Sequence, residues 1–253
     1  MIVALLLGRK GSKGLPGKNT MPILGRPMAW YPMVAGMKTP SIDKVYISTD
    51  DEQLMALAED TGVEVIVRPP ELCSDQALGE DAYVHGYHEI KRRNPGKDIE
   101  QVALLFCNAP TIMPETIEKG IEVLRTNPDY DSAVTVSRYN MWSPLRARKR
   151  NEEGLLDPFV PFETFGDPKT LNCDRDSQGD VLYADMSLSL VRPFCLEKMD
   201  EGLLPQKWMG QRIYPLPQEA GCDVDYAWQV PVVEWWLKTY GEYGFASEGD
   251  MKT

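Results

Sequence analysis

The sequence predicts an α/β fold: a doubly wound, mostly parallel sheet with an inserted arm. Three observations carry this reading. Strand and helix patterns alternate through the first 137 residues, the signature of βαβ units feeding a parallel sheet. The first strand pattern, Ile2–Leu7, is an unbroken apolar run, as expected of a strand covered on both faces. The alternation then breaks over residues 138–180, a stretch rich in Pro, Arg and aromatic residues, before an extended pattern returns at Val181–Val191.

In order, Ile2–Leu7 is the first strand, followed by a loop at Gly8–Asn19. Met28–Met37 is apolar on most faces and predicts a helix. Lys44–Ser48 is a short strand ending in Ser48-Thr49-Asp50. Asp51–Thr61 is helical, with Asp51 and Glu52 placed to complement the positive end of the helix and Gly62 to end it. Val63–Val67 is a strand, Glu80–Arg93 a helix, Gln101–Phe106 a strand. Pro114 suits the first turn of a helix running to Arg125. Ser132–Ser137 is a strand and Gln229–Tyr240 a closing helix. The length of 253 residues fits one domain carrying an inserted lobe. In such a sheet ligands lie beyond the carboxyl ends of the strands. The loops at Gly8–Asn19, Ser48–Asp50, Arg68–Gly79 and Cys107–Pro114 should therefore build one site.

Lys and Arg number 27 against 38 Asp and Glu, a net charge of −11. That balance argues against nucleic acid as a partner, although a few local cations can still gather a small anion. No segment approaches the apolar length of a membrane helix. Nothing basic precedes the first strand, which reads as core rather than as a leader. Five cysteines without CxxC spacing suit reduced thiols and a cytoplasmic location.

The strongest chemical signal is Gly8-Arg9-Lys10-Gly11-Ser12-Lys13-Gly14-Leu15-Pro16-Gly17-Lys18-Asn19. Four glycines and four basic residues fall within 12 positions directly after a strand. Glycines let backbone N–H groups approach an anion, and basic side chains neutralise phosphate charge. The spacing fits neither the Walker A loop nor the dinucleotide glycine fingerprint.

Arg9, Ser12, Lys13, Gly14, Pro16, Lys18 and Asn19 resemble the N-terminal signature of the acylneuraminate (sialic acid) cytidylyltransferases. The likeness continues at Ser48-Thr49-Asp50, Val65-Ile66-Val67-Arg68-Pro69, Glu71-Leu72 and Ser74-Asp75. It resumes at Gly221-Cys222-Asp223-Val224-Asp225. It implies the Rossmann-like nucleotidyltransferase version of the sheet, a dimerising arm at 138–180, and a homodimer. It implies transfer of CMP from CTP to an acidic sugar with release of pyrophosphate. Arg9 and Lys18 are then expected to hold the triphosphate, helped by Ser12 and Lys13. Asn19 and Arg68 would read the cytosine and its sugar. Asp223 and Asp225, two apart, form a carboxylate pair suited to Mg²⁺, which takes few protein oxygens and keeps several waters. Arg9, Lys18, Asp223 and Asp225 are the catalytic set.

The sequence departs from the family on the acceptor side. Leu105-Phe106-Cys107-Asn108-Ala109-Pro110 stands where polar residues are usual, leaving Asn108 as the acceptor-binding candidate. Tyr183-Ala184-Asp185-Met186 lacks an expected arginine, with Asp185 the second candidate. Gly79 replaces a hydroxyl residue, and Gln229 replaces a further acid. Arg138, Arg146, Arg148, Lys149, Arg150 and Arg175 are alternative anion contacts or plain surface charges. His85 and His88 read as ordinary helix residues, and Trp235 and Trp236 as core. Two other readings stay open: a nucleotidyltransferase using another nucleotide or a sugar phosphate or phosphonate acceptor, and a non-catalytic protein that kept the fold.

Overall fold

The computed structural model describes residues 1–11, 14–74 and 76–241. The loop residues Ser12 and Lys13, with Asp75, lie outside the described residues. Strand β1 is Ile2–Leu7, buried along its whole length. Its side chains alternate between two cores. Ile2, Ala4 and Leu6 pack on one face of the sheet, and Val3, Leu5 and Leu7 on the other, as the period of two requires.

A small hairpin follows, β2 (Pro22–Ile23) with β3 (Arg26–Pro27), then α1 (Trp30–Lys38), β4 (Lys44–Thr49), α2 (Glu52–Thr61), β5 (Glu64–Val67) and α3 (Gly79–Arg93). Next come β6 (Gln101–Phe106), α4 (Pro114–Thr126) and β7 (Ser132–Arg138). The predicted elements therefore form, with ends shifted by a residue or two. Asp51 caps α2 by accepting from Gln53 N at 2.9 Å. Residues of α1, α2 and α4 cover one face; those of α3 and of the short helix α5 (Pro193–Glu197) cover the other.

Between β7 and β10 (Leu182–Val191) the chain makes an excursion of 3-10 turns and a two-stranded hairpin, β8 (Arg148–Arg150) with β9 (Leu156–Pro158). This is the stretch read as an arm, and it leaves large apolar side chains in solvent, among them Trp142 at 65% and Leu156 at 72% exposed.

The sheet order is β11-β7-β10-β6-β1-β4-β5. β1 pairs parallel with β4 and β6, and β4 with β5. β10 alone runs antiparallel, between β6 and β7. The edge strand β11 (Ile213–Pro217) pairs parallel with β7. It was not predicted. Pro215 and Pro217 argue against a strand interior, and it forms because an edge strand need not donate on its outer side. β10 also breaks register between Ala184 and Ser189, and Met186 has φ 64°, the geometry of a β-bulge.

The last helix, α6, spans Val230–Tyr240. Trp236 is core, 3% exposed, but Trp235 is 42% exposed, so the expectation that both are core holds for Trp236 alone. α6 packs Val233, Trp236 and Leu237 with Ile23, Met28, Tyr31 and Val224 in a third apolar cluster. Among the described residues no helix is long and apolar enough to cross a membrane, and all five cysteines are unpaired.

Candidate active site

Because chain order reverses about β1, the loops leaving β1 and β6 part at its carboxyl end and open a crevice there. A cavity of about 520 Å³ occupies it, lined by Arg9, Lys18, Asn19, Arg68, Asn108 and Asp225 together with Leu78 and Phe106. Glycine is required where the loop leaves β1. A Cβ on Gly8 would lie 2.6 Å from Leu54 Cδ1 and 2.7 Å from Cys107 Sγ.

Each polar side chain is held by its surroundings. Arg9 Nη1 donates to Ser74 O at 2.8 Å, tying the β1 loop to the loop after β5. Asn19 is buried and donates to Arg9 O at 3.4 Å. Arg68, 6% exposed, donates from Nη2 to Ser48 O at 2.7 Å and from Nε to Ser48 Oγ at 3.2 Å. Burial lowers its pKa, with Cys73 and Asp50 opposing that shift. These bonds use one edge of its guanidinium, which has five donors in all.

Lys18 Nζ forms an ion pair with Asp225 Oδ1. The lysine side chain is 12% exposed and the aspartate 53%, so the pair sits at the mouth of the cavity with the carboxylate reachable from solvent. Asp225 belongs to a short irregular segment fixed from three sides. Val224 is fully buried in the third apolar cluster. Asn108 N–H₂ donates to Val224 O at 3.1 Å, and Val224 N to Asn108 O at 2.8 Å. Gln229 Oε1 accepts from Asp225 N at 2.7 Å and Tyr226 N at 2.8 Å, while its Nε2 donates to Asp223 O at 3.0 Å. Gln229, which stands in place of an acid, thus clamps backbone.

Asp223 faces a second cavity of about 480 Å³, walled by Tyr139, Trp142, Tyr183 and Trp228 with Asp185 and Gln229. Among the described residues no Arg or Lys lines it. Burial pushes the Asp223 carboxyl above the usual aspartate range; Asp225 adds to this and Lys18 opposes it. Asp223 and Asp225 therefore stand at adjoining cavities on either side of the buried Val224. Asp225 on the polar crevice and Asp223 on the second cavity, close enough for Asp225 to push the Asp223 carboxyl upward, are hard oxygen ligands of the kind Mg²⁺ takes, and it needs few from protein. No group of three or more His, Cys, Asp or Glu suited to a metal occurs among the described residues, so a closed metal cage is not built. His85 and His88 both lie in α3.

Asp185 lines the second cavity but is 5% exposed. Its carboxylate accepts from Thr135 Oγ1 at 2.6 Å, Gln218 Nε2 at 2.8 Å, Ser137 Oγ at 2.9 Å and Ser187 N at 3.1 Å. The arginines of the 138–180 stretch do not line the first cavity. Arg138 pairs with Asp180, Arg175 with Asp176, Arg146 donates to Cys173 O, and Arg148 lies over the Phe162 ring.

A family model described as Cytidylyltransferase matches residues 3–188. The chain belongs to that family. The match takes in Arg9, Lys18, Asn19, Arg68, Asn108 and Asp185 and ends before Asp223. The chain is 31% identical over 144 residues to N-acylneuraminate cytidylyltransferase of Escherichia coli, covering 57% of this chain and 33% of that one. It is 26% identical over 250 residues to N-acylneuraminate cytidylyltransferase of Oncorhynchus mykiss, covering 96% and 52%. The chain thus spans a third to about half the length of these curated relatives. Among solved structures, CMP:2-keto-3-deoxy-manno-octonic acid synthetase complexed with CTP superposes with a TM-score of 0.64 at 17% identity, covering 92% of this chain and 96% of that one. This likeness shows the shared nucleotidyltransferase fold.

Beyond the residues the sequence singled out, the site depends on Thr111, Ser137 and Gln218, lone polar residues that carry no motif and act through bonds to distant backbone. Ser48 and Ser74, which belong to the family-like stretches, hold Arg68 and Arg9 through their carbonyl oxygens.

Proposed function

We propose that this chain is a cytidylyltransferase that transfers CMP from CTP to an acidic sugar, sialic-acid-like or another ulosonic acid, and releases pyrophosphate. The observation that carries this reading is the gathering of Arg9, Lys18, Asn19, Arg68 and Asp225 around one cavity. The N-acylneuraminate cytidylyltransferases it resembles support the acceptor class.

Arg9 and Lys18, with Ser12 and Lys13, would hold the triphosphate. Lys18 exchanges Asp225 for a phosphate oxygen as the nucleotide enters, and Asp225 is thereby freed. Arg68 and Asn19 would read the base and ribose from the inner wall. Asp223 and Asp225 would hold Mg²⁺, which when bound neutralises charge on the leaving pyrophosphate and makes a nearby hydroxyl more acidic. The acceptor's anomeric hydroxyl would give its proton to solvent and form an O–P bond to the α-phosphorus as the bond to pyrophosphate breaks. Asn108 in the wall of the first cavity and Asp185 in that of the second would shape the acceptor side. The aromatic wall of the second cavity suits an apolar face or substituent of the acceptor, with its anionic end turned toward Arg9 and Lys18.

The exposed apolar side chains of the 138–180 arm support a homodimer formed through it. The unpaired cysteines agree with a cytoplasmic location. Calorimetry with CTP, UTP, ATP and GTP in the presence of Mg²⁺ tests the nucleotide assignment. CTP alone is expected to bind tightly; equal binding of all four would sink it.

A further inference from the structure

Asp185 is a buried carboxylate whose four hydrogen-bond donors are two hydroxyls, an amide side chain and a backbone N–H. A carboxylate offers about four lone-pair sites, so its capacity is used within the protein. It therefore has nothing left with which to grip an acceptor directly.

Its partners lead elsewhere. Ser137 Oγ donates to Asp185 and accepts from Gly221 N at 2.8 Å. Gln218 Nε2 donates to Asp185, to Ser187 Oγ at 3.1 Å and to Thr111 O at 3.1 Å. Thr111 Oγ1 accepts from Cys222 N at 2.9 Å and shares a hydrogen bond of 2.9 Å with Ser187 Oγ. The two backbone N–H groups immediately before Asp223 are thus held by hydroxyls belonging to one network centred on Asp185. A Cβ on Gly221 would lie 2.5 Å from Asp185 Oδ2 and 2.1 Å from Gln218 Nε2, so the irregular segment leading to Asp223 is pressed directly against the hub. The bulge in β10, with Met186 at φ 64°, sits next to Asp185 in the chain. Bulges re-aim side chains beside active sites, and a non-glycine residue in that region persists only where its surroundings hold it.

We propose that Asp185 is a positioning residue: through Ser137, Gln218 and Thr111 it anchors Gly221 and Cys222, and so sets how the Asp223 and Asp225 carboxylates are placed relative to each other. The proposal rests on the reading of that pair as the Mg²⁺ holders and of the crevice as the nucleotide site. Partners that orient metal ligands without touching the metal are worth roughly 10- to 100-fold in metal affinity.

The test measures Mn²⁺, a spectroscopic stand-in that also takes carboxylate oxygen, binding to the protein with saturating CTP and no acceptor. Electron paramagnetic resonance reads the free metal, and calorimetry reads CTP affinity in metal-free buffer. Asp185→Asn keeps the shape but faces its donors with an amide. Ser137→Ala leaves Asp185 charged and removes the link to Gly221 N, and it decides the matter if the first variant fails to fold. Both are expected to weaken Mn²⁺ binding by about ten-fold or more while changing metal-free CTP affinity by less than about two-fold. Folded variants that bind Mn²⁺ as the parent does would overturn the proposal, leaving Asp185 a support of the fold. A raised acceptor KM with unchanged Mn²⁺ affinity would also overturn it, in favour of direct acceptor contact. A parent that binds neither CTP nor Mn²⁺ would remove the underlying functional reading as well, and is recognised before any variant is made.

Discussion

Lys18 and Asp225 neutralise each other at the mouth of the crevice, yet the proposed reaction needs the lysine on phosphate and the carboxylate on metal. Lys18→Ala should weaken CTP binding with Mg²⁺ by about 1.5–3 kcal/mol, the worth of a hydrogen bond to a charged group. Asp225→Asn should act with opposite signs in two conditions: CTP binds more tightly than to the parent in metal-free buffer, because Lys18 is released, and gains little from added Mg²⁺. Titration calorimetry in both buffers reads this; unchanged metal-free affinity in Asp225→Asn contradicts it. Asp223 carries a second prediction. Burial raises its pKa, so the folded protein holds that proton more tightly than the unfolded chain does. Ionising it costs stability, a cost absent below the ordinary aspartate range and complete once pH exceeds the raised folded value. Asp223→Asn should therefore melt above the parent at neutral pH without metal and lose that advantage in acid, which scanning calorimetry across pH measures. At this scale Arg9, Lys18 and Asn19 were legible as crevice residues because their spacing in a glycine-rich loop is itself the signal, and Arg68 because it lies in the Val65–Pro69 stretch that resembles the family. Gln218, Thr111 and Ser137 were not, since their partners lie 84 to 111 positions away for the bonds from Ser137 to Gly221 and from Thr111 to Cys222.

At the scale of elements, the strands nearest the site were readable from apolar runs bounded by loops, β1 and β6 to the residue. The misses share a cause. β11 carries two prolines and is held by pairing with β7, by burial of Leu216 in the core and by the Tyr130–Tyr214 ring stack at 5.4 Å, none of which local pattern reveals. The bulge in β10 falls at Met186, not a bulge-favouring residue, beside Asp185, whose bonds reach Thr135, Ser137 and Gln218 in other segments. Gly8 marks the opposite case, where one residue type reports the packing. Its Cβ position is filled by Leu54 and Cys107, so the strand can turn into the phosphate loop only without a side chain there. Gly8→Ala should lower the unfolding free energy by about 1–3 kcal/mol, the range for overpacking a core. Urea unfolding checks this; a fully stable variant would mean that the loop is free to move away from α2 and β6.

On the scale of the whole molecule, a chain with net charge −11 is proposed to bind a polyanionic nucleotide and an acidic sugar, which only a local reversal of field permits. The described crevice supplies Arg9, Lys18 and Arg68. The arm's exposed Met141, Trp142, Leu155, Leu156 and Phe159 are the surface expected to pair two copies. Light scattering should give a dimer, and Leu156→Asp with Phe159→Asp should shift it toward monomer; a monomeric parent at working concentration would remove the arm's proposed role. The central claim is the transfer reaction itself. Its most direct test is pyrophosphate release from CTP, UTP, ATP and GTP, each with a panel of ulosonic acids, sugar phosphates and phosphonates, with Mg²⁺ and with chelator. Release is expected only from CTP with an ulosonic acid and Mg²⁺; release from UTP or ATP with a sugar phosphate, or none from CTP with any acidic sugar, would overturn the assignment.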